Sequence, residues 1–229
     1  MSNSSKSDQH SPKKIAVVLS GCGFLDGAEI TESVSTLIAI SEAGALATCF
    51  APDRKFLTAS YRKNNPDESP TERNVLSEAA RIARGEINDL RTLKEKDFDA
   101  VVFPGGFGAA QILSTWSSAG ANAQVDPEVM RIIVEFHKAA KPIGAMCIAP
   151  TLIAKALGSE GVNLTIGNDQ ATAQQIEITG AHHVRCDVTD YVSDRDHKVL
   201  TTPAYMLDAK PHEVFTGIRK MIRELVEMA

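Results

Sequence analysis

Short apolar runs separated by segments of helical periodicity constrain the fold of this sequence more than any other feature. The runs span 15–19, 46–51, 98–103 and 143–146. Continuous apolar runs of this length are typical of parallel strands that are covered on both faces of a sheet. Their alternation with helical segments predicts an α/β fold with a largely parallel central sheet and right-handed crossovers.

Helical segments follow several of these strands and close the chain. Apolar residues recur at helical spacing over 30–44, directly after a glycine-rich turn. Asp126 as a cap, with proline next to it, favours a helix over 127–140. Proline also opens a helix predicted over 150–157, which glycine ends, and the last helix is predicted over 211–228.

Two stretches depart from this alternation. Val184, Cys186 and Val188 alternate with other residues as in a half-exposed strand, which we predict to pair with 199–201 across a polar turn. The polar stretch 52–72 is too long for an ordinary connection. We therefore predict that it forms a surface excursion or a lid.

Composition and termini indicate one domain. Residues 1–13 are polar, rich in serine and without periodicity, which predicts a disordered tail before a single domain over 14–229. Of the 229 residues 43% are apolar, enough to close one core without disulfides or metal. The 24 Lys and Arg against 29 Asp and Glu give a net charge of −5, which argues against a nucleic-acid partner.

Apolar patterning and cysteine usage predict a cytoplasmic protein. No stretch approaches the roughly 20 apolar residues that a membrane-spanning helix needs, and the N-terminus lacks the apolar core of a signal peptide. The four cysteines are far apart and form no C-x-x-C pair. Free thiols in a reducing compartment are the expected state, and one of them is a candidate for reactivity.

Cys147 has the most informative position of the four. It follows the apolar run 143–146 and precedes a helix, so its side chain is expected at the carboxyl edge of the sheet, where open α/β folds bind ligands. Backbone N–H groups at the helix start stabilise a thiolate. A nucleophile and a buried, inert cysteine both fit this position. Cys22 lies between two glycines at the end of the first strand and can line the same site.

Two further groups are expected at this edge. The turn 104–108 contains successive glycines that leave backbone N–H groups uncovered, as an oxyanion requires. Glu29 and Glu32 begin the first helix, where either can reach a thiol on a neighbouring strand. Acidic residues at that position also serve as ordinary helix N-terminal charges.

The histidines do not indicate a metal site. His182 and His183, together with Cys186 and Asp187, do not converge on a tetrahedral ligand set, so we predict no bound metal. His183 is either a proton carrier near Cys147 or a satisfied surface histidine.

Several motifs of the chain resemble ElbB, the isoprenoid-biosynthesis glyoxalase family of the ThiJ/PfpI superfamily. The resemblance runs from about Lys14 to the C-terminus. The segments that carry it are Ser20-Gly21-Cys22-Gly23, Asp26-Gly27-Ala28-Glu29-Ile30, Thr71-Glu72-Arg73-Asn74-Val75, Arg84-Gly85-Glu86-Ile87, Pro104-Gly105-Gly106-Phe107-Gly108, Met146-Cys147-Ile148-Ala149-Pro150 and Thr201-Thr202-Pro203-Ala204-Tyr205-Met206.

This resemblance implies a flavodoxin-like three-layer sandwich of the class I glutamine amidotransferase type. It implies that Cys147 is the cysteine of a nucleophile elbow and that Glu32, with Glu29 as the near alternative, hydrogen-bonds the thiol. The backbones of Gly105, Gly106 and Ile148 are the implied oxyanion donors. The chain departs from the PfpI-type proteases, which place a histidine directly after the cysteine.

The implied activity is that of a glyoxalase. The Cys147 thiolate would add to glyoxal or methylglyoxal, and a 2-hydroxy acid would leave without metal, cofactor or glutathione. A sensor or binding protein that modifies Cys147 without turnover is the alternative, and an amidotransferase or peptidase is disfavoured by Ile148. A homodimer is the expected assembly.

Overall fold

A computed structural model describes residues 11–59 and 69–229, and within them the chain forms a seven-stranded sheet covered by helices. The strands of the described residues are β1 (Lys14–Val18), β2 (Leu46–Ala51), β3 (Lys55–Leu57), β4 (Glu72–Asn74), β5 (Ile87–Asp89), β6 (Ala100–Phe103), β7 (Ile143–Met146), β8 (Asn163–Leu164), β9 (His182–His183), β10 (Val192–Asp194) and β11 (Val199–Thr202). The α-helices are α1 (Ile30–Glu42), α2 (Val75–Ile82), α3 (Phe107–Gln111), α4 (Trp116–Ala119), α5 (Pro127–Lys138), α6 (Pro150–Leu157), α7 (Gln170–Ile178) and α8 (Pro211–Met228).

The central sheet has the order β10-β11-β7-β6-β1-β2-β5, and β10 alone runs antiparallel to its neighbour. In the strand order, β2 lies next to β1 on one side, whereas β7 lies next to β6 on the opposite side. Right-handed crossovers therefore place α1 and α5 on opposite faces. The prediction of a mostly parallel α/β sandwich is confirmed.

Local sequence explains why these helices start where they do. The Asp126 side chain accepts a hydrogen bond from the backbone N–H of Glu128, and Pro127 occupies the first turn of α5. Asn74 and Asp169 cap α2 and α7 in the same way. The predicted helices over 30–44 and 211–228 are found with ends shifted by no more than two residues.

The core lies on both faces of the central strands. β1, β6 and β7 are buried almost throughout, which explains why their sequences show no polar alternation. α5 buries four apolar side chains at helical spacing, and α8 presents a longer apolar stripe to the sheet and to α1.

The predicted strand over Val184 to Val188 is wrong. The antiparallel partner of β11 is β10, which begins at Val192, and Asp194 pairs directly with Val199. The two strands of a hairpin adjoin the turn between them, so the residues directly before the polar turn, Val192–Asp194, pair with β11. Residues 184–188 lie farther from the turn and are not part of the sheet. His182 and His183 instead pair with β8 in a separate two-stranded sheet.

The stretch predicted as a surface excursion contains regular structure at both ends. β3 and β4 pair as antiparallel strands, and Asn74 at the end of β4 caps α2. Residues 60–68 lie outside the described residues, as does most of the predicted tail over 1–13. Among the helices described, none is both long enough and apolar enough to cross a membrane.

Candidate active site

Cys147 occupies a strained turn between β7 and α6. Its φ angle is +60°, a left-handed conformation that residues other than glycine adopt rarely and mostly where surrounding structure enforces it. The backbone N–H of Cys147 donates to the carbonyl of Thr202, 3.0 Å away, at the end of the neighbouring strand β11. The side chain is 8% exposed. The thiol therefore lies at the carboxyl edge of the sheet with narrow access to solvent.

Glu32 lies against this thiol although it is 115 positions earlier in the chain. It is fully buried in the first turn of α1, and its carboxyl group hydrogen-bonds the Cys147 side chain. The N–H of Gly105 donates to Oε2 at 2.9 Å, and the N–H of Tyr205 donates to Oε1 at 3.2 Å. Three separate segments thus hold this one carboxyl group.

Glycine at 105 is required by the close approach of these groups. A Cβ atom there would lie 2.4 Å from Cys147 Cβ, 2.7 Å from Glu32 Oε2 and 2.8 Å from the Met146 carbonyl oxygen. At Gly106 the constraint is different, because its φ of +96° is one that side chains disfavour and a Cβ would meet the backbone of Gly27 and Glu29. The glycine pair therefore lets two loops close on the cysteine and the glutamate.

Burial keeps both members of the pair neutral. Desolvation, reinforced by the neighbouring Glu29, raises the pKa of Glu32 to about 8, against the opposing effect of the Tyr205 and Gly105 N–H groups. Burial and the adjacent Glu32 carboxyl also raise the pKa of the Cys147 thiol well above its usual range. Near neutral pH the site therefore holds a carboxylic acid beside a thiol, with protons available to move between them.

Two backbone N–H groups lower the pKa of the Cys147 thiol, against the effect of burial. The amides of Gly106 and Ile148 hydrogen-bond the Cys147 side chain and favour its thiolate. They are also placed to stabilise an oxyanion formed next to the sulfur. The N–H of Gly105, which the resemblance also implies as an oxyanion donor, donates to Glu32 Oε2 instead of facing the sulfur.

Glu29 does not take the role of thiol partner. Its side chain accepts a hydrogen bond from the backbone N–H of Glu32 at 2.6 Å and caps α1, while its own N–H donates to the carbonyl of Gly105. Burial raises the pKa of Glu29. Glu29 therefore fixes the start of the helix that presents Glu32.

His183 is not among the described groups that bond to or act electrostatically on the thiol. It lies in β9, where its backbone N–H donates to the Glu177 side chain at 2.7 Å. Its ring Nε2 is buried with no hydrogen-bond partner among the described residues, and burial lowers the pKa of the ring. A part in proton transfer at Cys147 is therefore not supported by its position.

The other cysteines are placed apart from this pair. Cys22 lines a cleft with Asp26, Glu78 and Arg81, and neither Cys147 nor Glu32 lines that cleft. Burial raises the pKa values of Cys49 and Cys186, each to about 11. All four cysteines are free thiols. In the part of the chain that the structure describes, no group of three or more His, Cys, Asp and Glu side chains is arranged to hold a metal ion.

The backbone contacts of residues 202–205, at the end of β11 and directly after it, could not be found by sequence reasoning. Thr202 and Tyr205 lie in a motif that the resemblance includes, yet they contribute a carbonyl and an N–H group rather than side chains. No residue type signals such a contact. Only the strand order, which places β11 beside β7, brings them to the site.

The fold and the site define a class I glutamine amidotransferase-like protein, in which a cysteine on a strand-to-helix turn lies against a glutamate. The chain matches the family model described as "DJ-1/PfpI family" over residues 22–204. It therefore belongs to the DJ-1/PfpI family.

Curated relatives extend over nearly the whole chain. The human "Glutamine amidotransferase-like class 1 domain-containing protein 3, mitochondrial" is 44% identical over 225 residues, 94% of this chain and 83% of that protein. The "ES1 protein, mitochondrial" of Danio rerio is 33% identical over 93% of this chain and 85% of that protein. Both names place those proteins in mitochondria, whereas the sequence led us to expect a cytoplasmic protein.

Solved structures show the same fold. An isoprenoid biosynthesis protein with an amidotransferase-like domain from Ehrlichia chaffeensis has a TM-score of 0.85 and 33% identity, covering 94% of this chain and all of that one. DJ-1beta of Drosophila melanogaster has a TM-score of 0.57 at 18% identity, covering 94% of this chain and 91% of that one, a likeness of fold alone.

Proposed function

We propose that this protein is a glutathione-independent glyoxalase that converts glyoxal or methylglyoxal to the corresponding 2-hydroxy acid. The observation that carries the proposal is the contact between the Cys147 thiol and the neutral carboxyl group of Glu32, with two backbone amides directed at the sulfur. Such a pair supplies a nucleophile and a proton carrier within one hydrogen bond of each other.

The first step forms a bond between the sulfur of Cys147 and the aldehyde carbon. Glu32 accepts the thiol proton on one oxygen and gives a proton to the aldehyde oxygen, so that the neutral hemithioacetal keeps all atoms and charge. The amides of Gly106 and Ile148 stabilise the oxyanion before it is protonated.

The second step is an internal oxidation and reduction of the bound substrate. Glu32 takes the proton of the former aldehyde carbon on one carboxyl oxygen and gives its own proton to the neighbouring carbonyl oxygen, which forms an enediol. It then takes the proton of the hydroxyl group on the first carbon and delivers one to the second carbon. The first carbon becomes a thioester as the ketone, or the second aldehyde of glyoxal, is reduced to an alcohol. Water then cleaves the thioester, releases lactate or glycolate and restores the thiol. No external oxidant or reductant enters the balance.

The experiment is steady-state consumption of methylglyoxal and glyoxal in the absence of glutathione. Cys147→Ala is expected to lower kcat/KM by at least about a thousandfold, and Glu32→Gln by about a hundredfold or more. Cys186→Ala removes another partly buried thiol outside the site and is the matched control, expected to keep the activity of the wild type. A folded Cys147→Ala variant with wild-type turnover would disprove the proposal.

A sensor that modifies Cys147 once, without turnover, is the alternative function. Oxidant sensing requires an accessible thiolate, and the thiol here is largely buried with a raised pKa. The same burial also limits Cys147 as a nucleophile, but the adjacent proton carrier Glu32 is a feature that turnover uses and a single modification does not need, which favours the enzyme. A single stoichiometric burst of aldehyde consumption, followed by an intact mass increased by one adduct, would reverse this ranking.

The compartment follows from the chemistry of the thiol. Turnover requires Cys147 as a reduced thiol, and all four cysteines of the chain are free. We propose a reducing compartment, such as the cytoplasm or the mitochondrial matrix.

A further inference from the structure

The end of β11 and the turn that follows it contact both members of the cysteine and glutamate pair through backbone atoms. The Thr202 carbonyl accepts the N–H of Cys147 at 3.0 Å, and the Tyr205 N–H donates to Glu32 Oε1 at 3.2 Å. Ala204 lies between them and is fully buried. Residues 202–205 therefore contact both the nucleophile and its proton carrier through their own backbone atoms.

Glu32 is held from the two strands that flank the cysteine strand. β6 and β11 lie on either side of β7. Gly105, after β6, donates to one carboxyl oxygen, and Tyr205, after β11, donates to the other. Two donors on different oxygens fix the plane of the carboxyl group, whereas one donor would leave it free to turn about that bond.

The conformation of Ala204 gives the Tyr205 N–H its direction. Its φ angle is +45°, and alanine rarely adopts a positive φ. A change of φ at this residue to the ordinary negative range would rotate the peptide that follows and turn the N–H away from Glu32. Backbone strain of this kind persists where the surroundings over-determine it, and it clusters at functional sites.

We propose that the Ala204–Tyr205 turn is a positioning element, in which the strained backbone of Ala204 aims the Tyr205 N–H at Glu32 and so holds its carboxyl group in line with the Cys147 thiol. The inference rests on the proposed function for its effect on turnover. Its effect on the carboxyl group itself does not depend on the substrate.

The test removes this one N–H and leaves the side chain in place. Tyr205 is replaced by its α-hydroxy acid analogue through nonsense suppression, which turns the amide into an ester. The same replacement at Tyr191, whose side chain bonds Glu224, is the matched control. The protonation of Glu32 is followed against pH by the infrared band of its carboxylic acid, isolated by subtraction of the spectrum of Glu32→Gln.

We expect the ester at Tyr205 to raise the midpoint of the Glu32 titration by about one pH unit, because a donor that favours the carboxylate is lost. With methylglyoxal, kcat falls roughly tenfold while KM changes less than twofold, since the element positions a proton carrier and binds no substrate. The ester at Tyr191 leaves both quantities at wild-type values.

A second variant tests the role of the strained turn. Ala204→Gly is expected to keep the midpoint of the Glu32 titration, because glycine adopts positive φ without steric cost. A shifted midpoint in Ala204→Gly, or an unshifted midpoint in the Tyr205 ester, would overturn the inference. If the wild type consumes no aldehyde, the proposed function fails, and the titration still decides whether the turn positions Glu32.

Discussion

Among single residues, Glu32 makes the stability of the fold depend on pH. Its pKa is about 8 in the folded protein and near 4.5 when exposed, so the folded state binds more protons between these values. This contribution to stability is therefore fully present below about pH 4.5 and is lost as the pH rises through about 8. Because of this buried carboxyl group, the fold is less stable at high pH than at low pH.

Glu32→Gln should remove this pH dependence. We expect the free energy of unfolding of the variant, relative to wild type, to increase from pH 5 to pH 8 by up to about 3 kcal/mol, because the amide cannot ionise. Urea unfolding at the two pH values measures it, with Glu86→Gln as a control at an exposed carboxyl group. A difference that is the same at both pH values would show that Glu32 is not a buried acid.

The sequence identified the residues of the site better than their contacts. Cys147 and the alternatives Glu29 and Glu32 follow from position and resemblance, since an elbow cysteine and a helix start both lie at the strand ends. The choice between the glutamates depends on which of them turns inward from α1. The bond from Gly105 to Glu32 depends on loop closure between residues 73 positions apart, which has no local signal.

At the scale of elements, α1 presents Glu32 and Glu29 fixes where α1 begins. Glu29→Gln should keep a side-chain oxygen that accepts the N–H of Glu32, and it removes a charge that raises the pKa of Glu32. We therefore expect the midpoint of the Glu32 carboxyl titration to fall, with little change in stability. Glu29→Ala also removes the cap and should cost about 1 kcal/mol in urea unfolding. A Glu32 midpoint unaltered by Glu29→Gln would contradict the electrostatic role.

Strands with continuous apolar sequences could be predicted and marginal strands could not. β1, β6 and β7 are buried on both faces, so their sequences are apolar almost throughout and can be recognised as strands. β10 has three residues and owes its place to the turn that joins it to β11. The alternation over 184–188 looked more like a strand, but hairpin register is set by the turn rather than by the better pattern.

At the scale of the whole molecule, the outward face of α1 is aliphatic. Ile30, Val34 and Ile38 recur every four residues and are 48, 40 and 46% exposed. Glu32, on the same helix, is fully buried. An exposed apolar stripe on a helix is typical of a surface that another chain covers.

The spacing of this stripe suits a second copy of the same chain, which is the homodimer expected from the sequence. The stripe is symmetric about Val34, so two antiparallel copies of α1 would place Ile30 against Ile38 of the second copy and Val34 beside its equivalent, as a two-fold interface requires.

Val34→Lys should then convert a dimer to a monomer, since it sets two like charges together at the axis. Sedimentation equilibrium measures the mass, and Glu86→Lys, at an exposed side chain outside α1, is the control that should stay dimeric. A monomeric wild type, or a dimeric Val34→Lys, would refute this interface. Because Glu32 is buried and Val34 is exposed, activity per chain should survive dissociation, which separates assembly from catalysis.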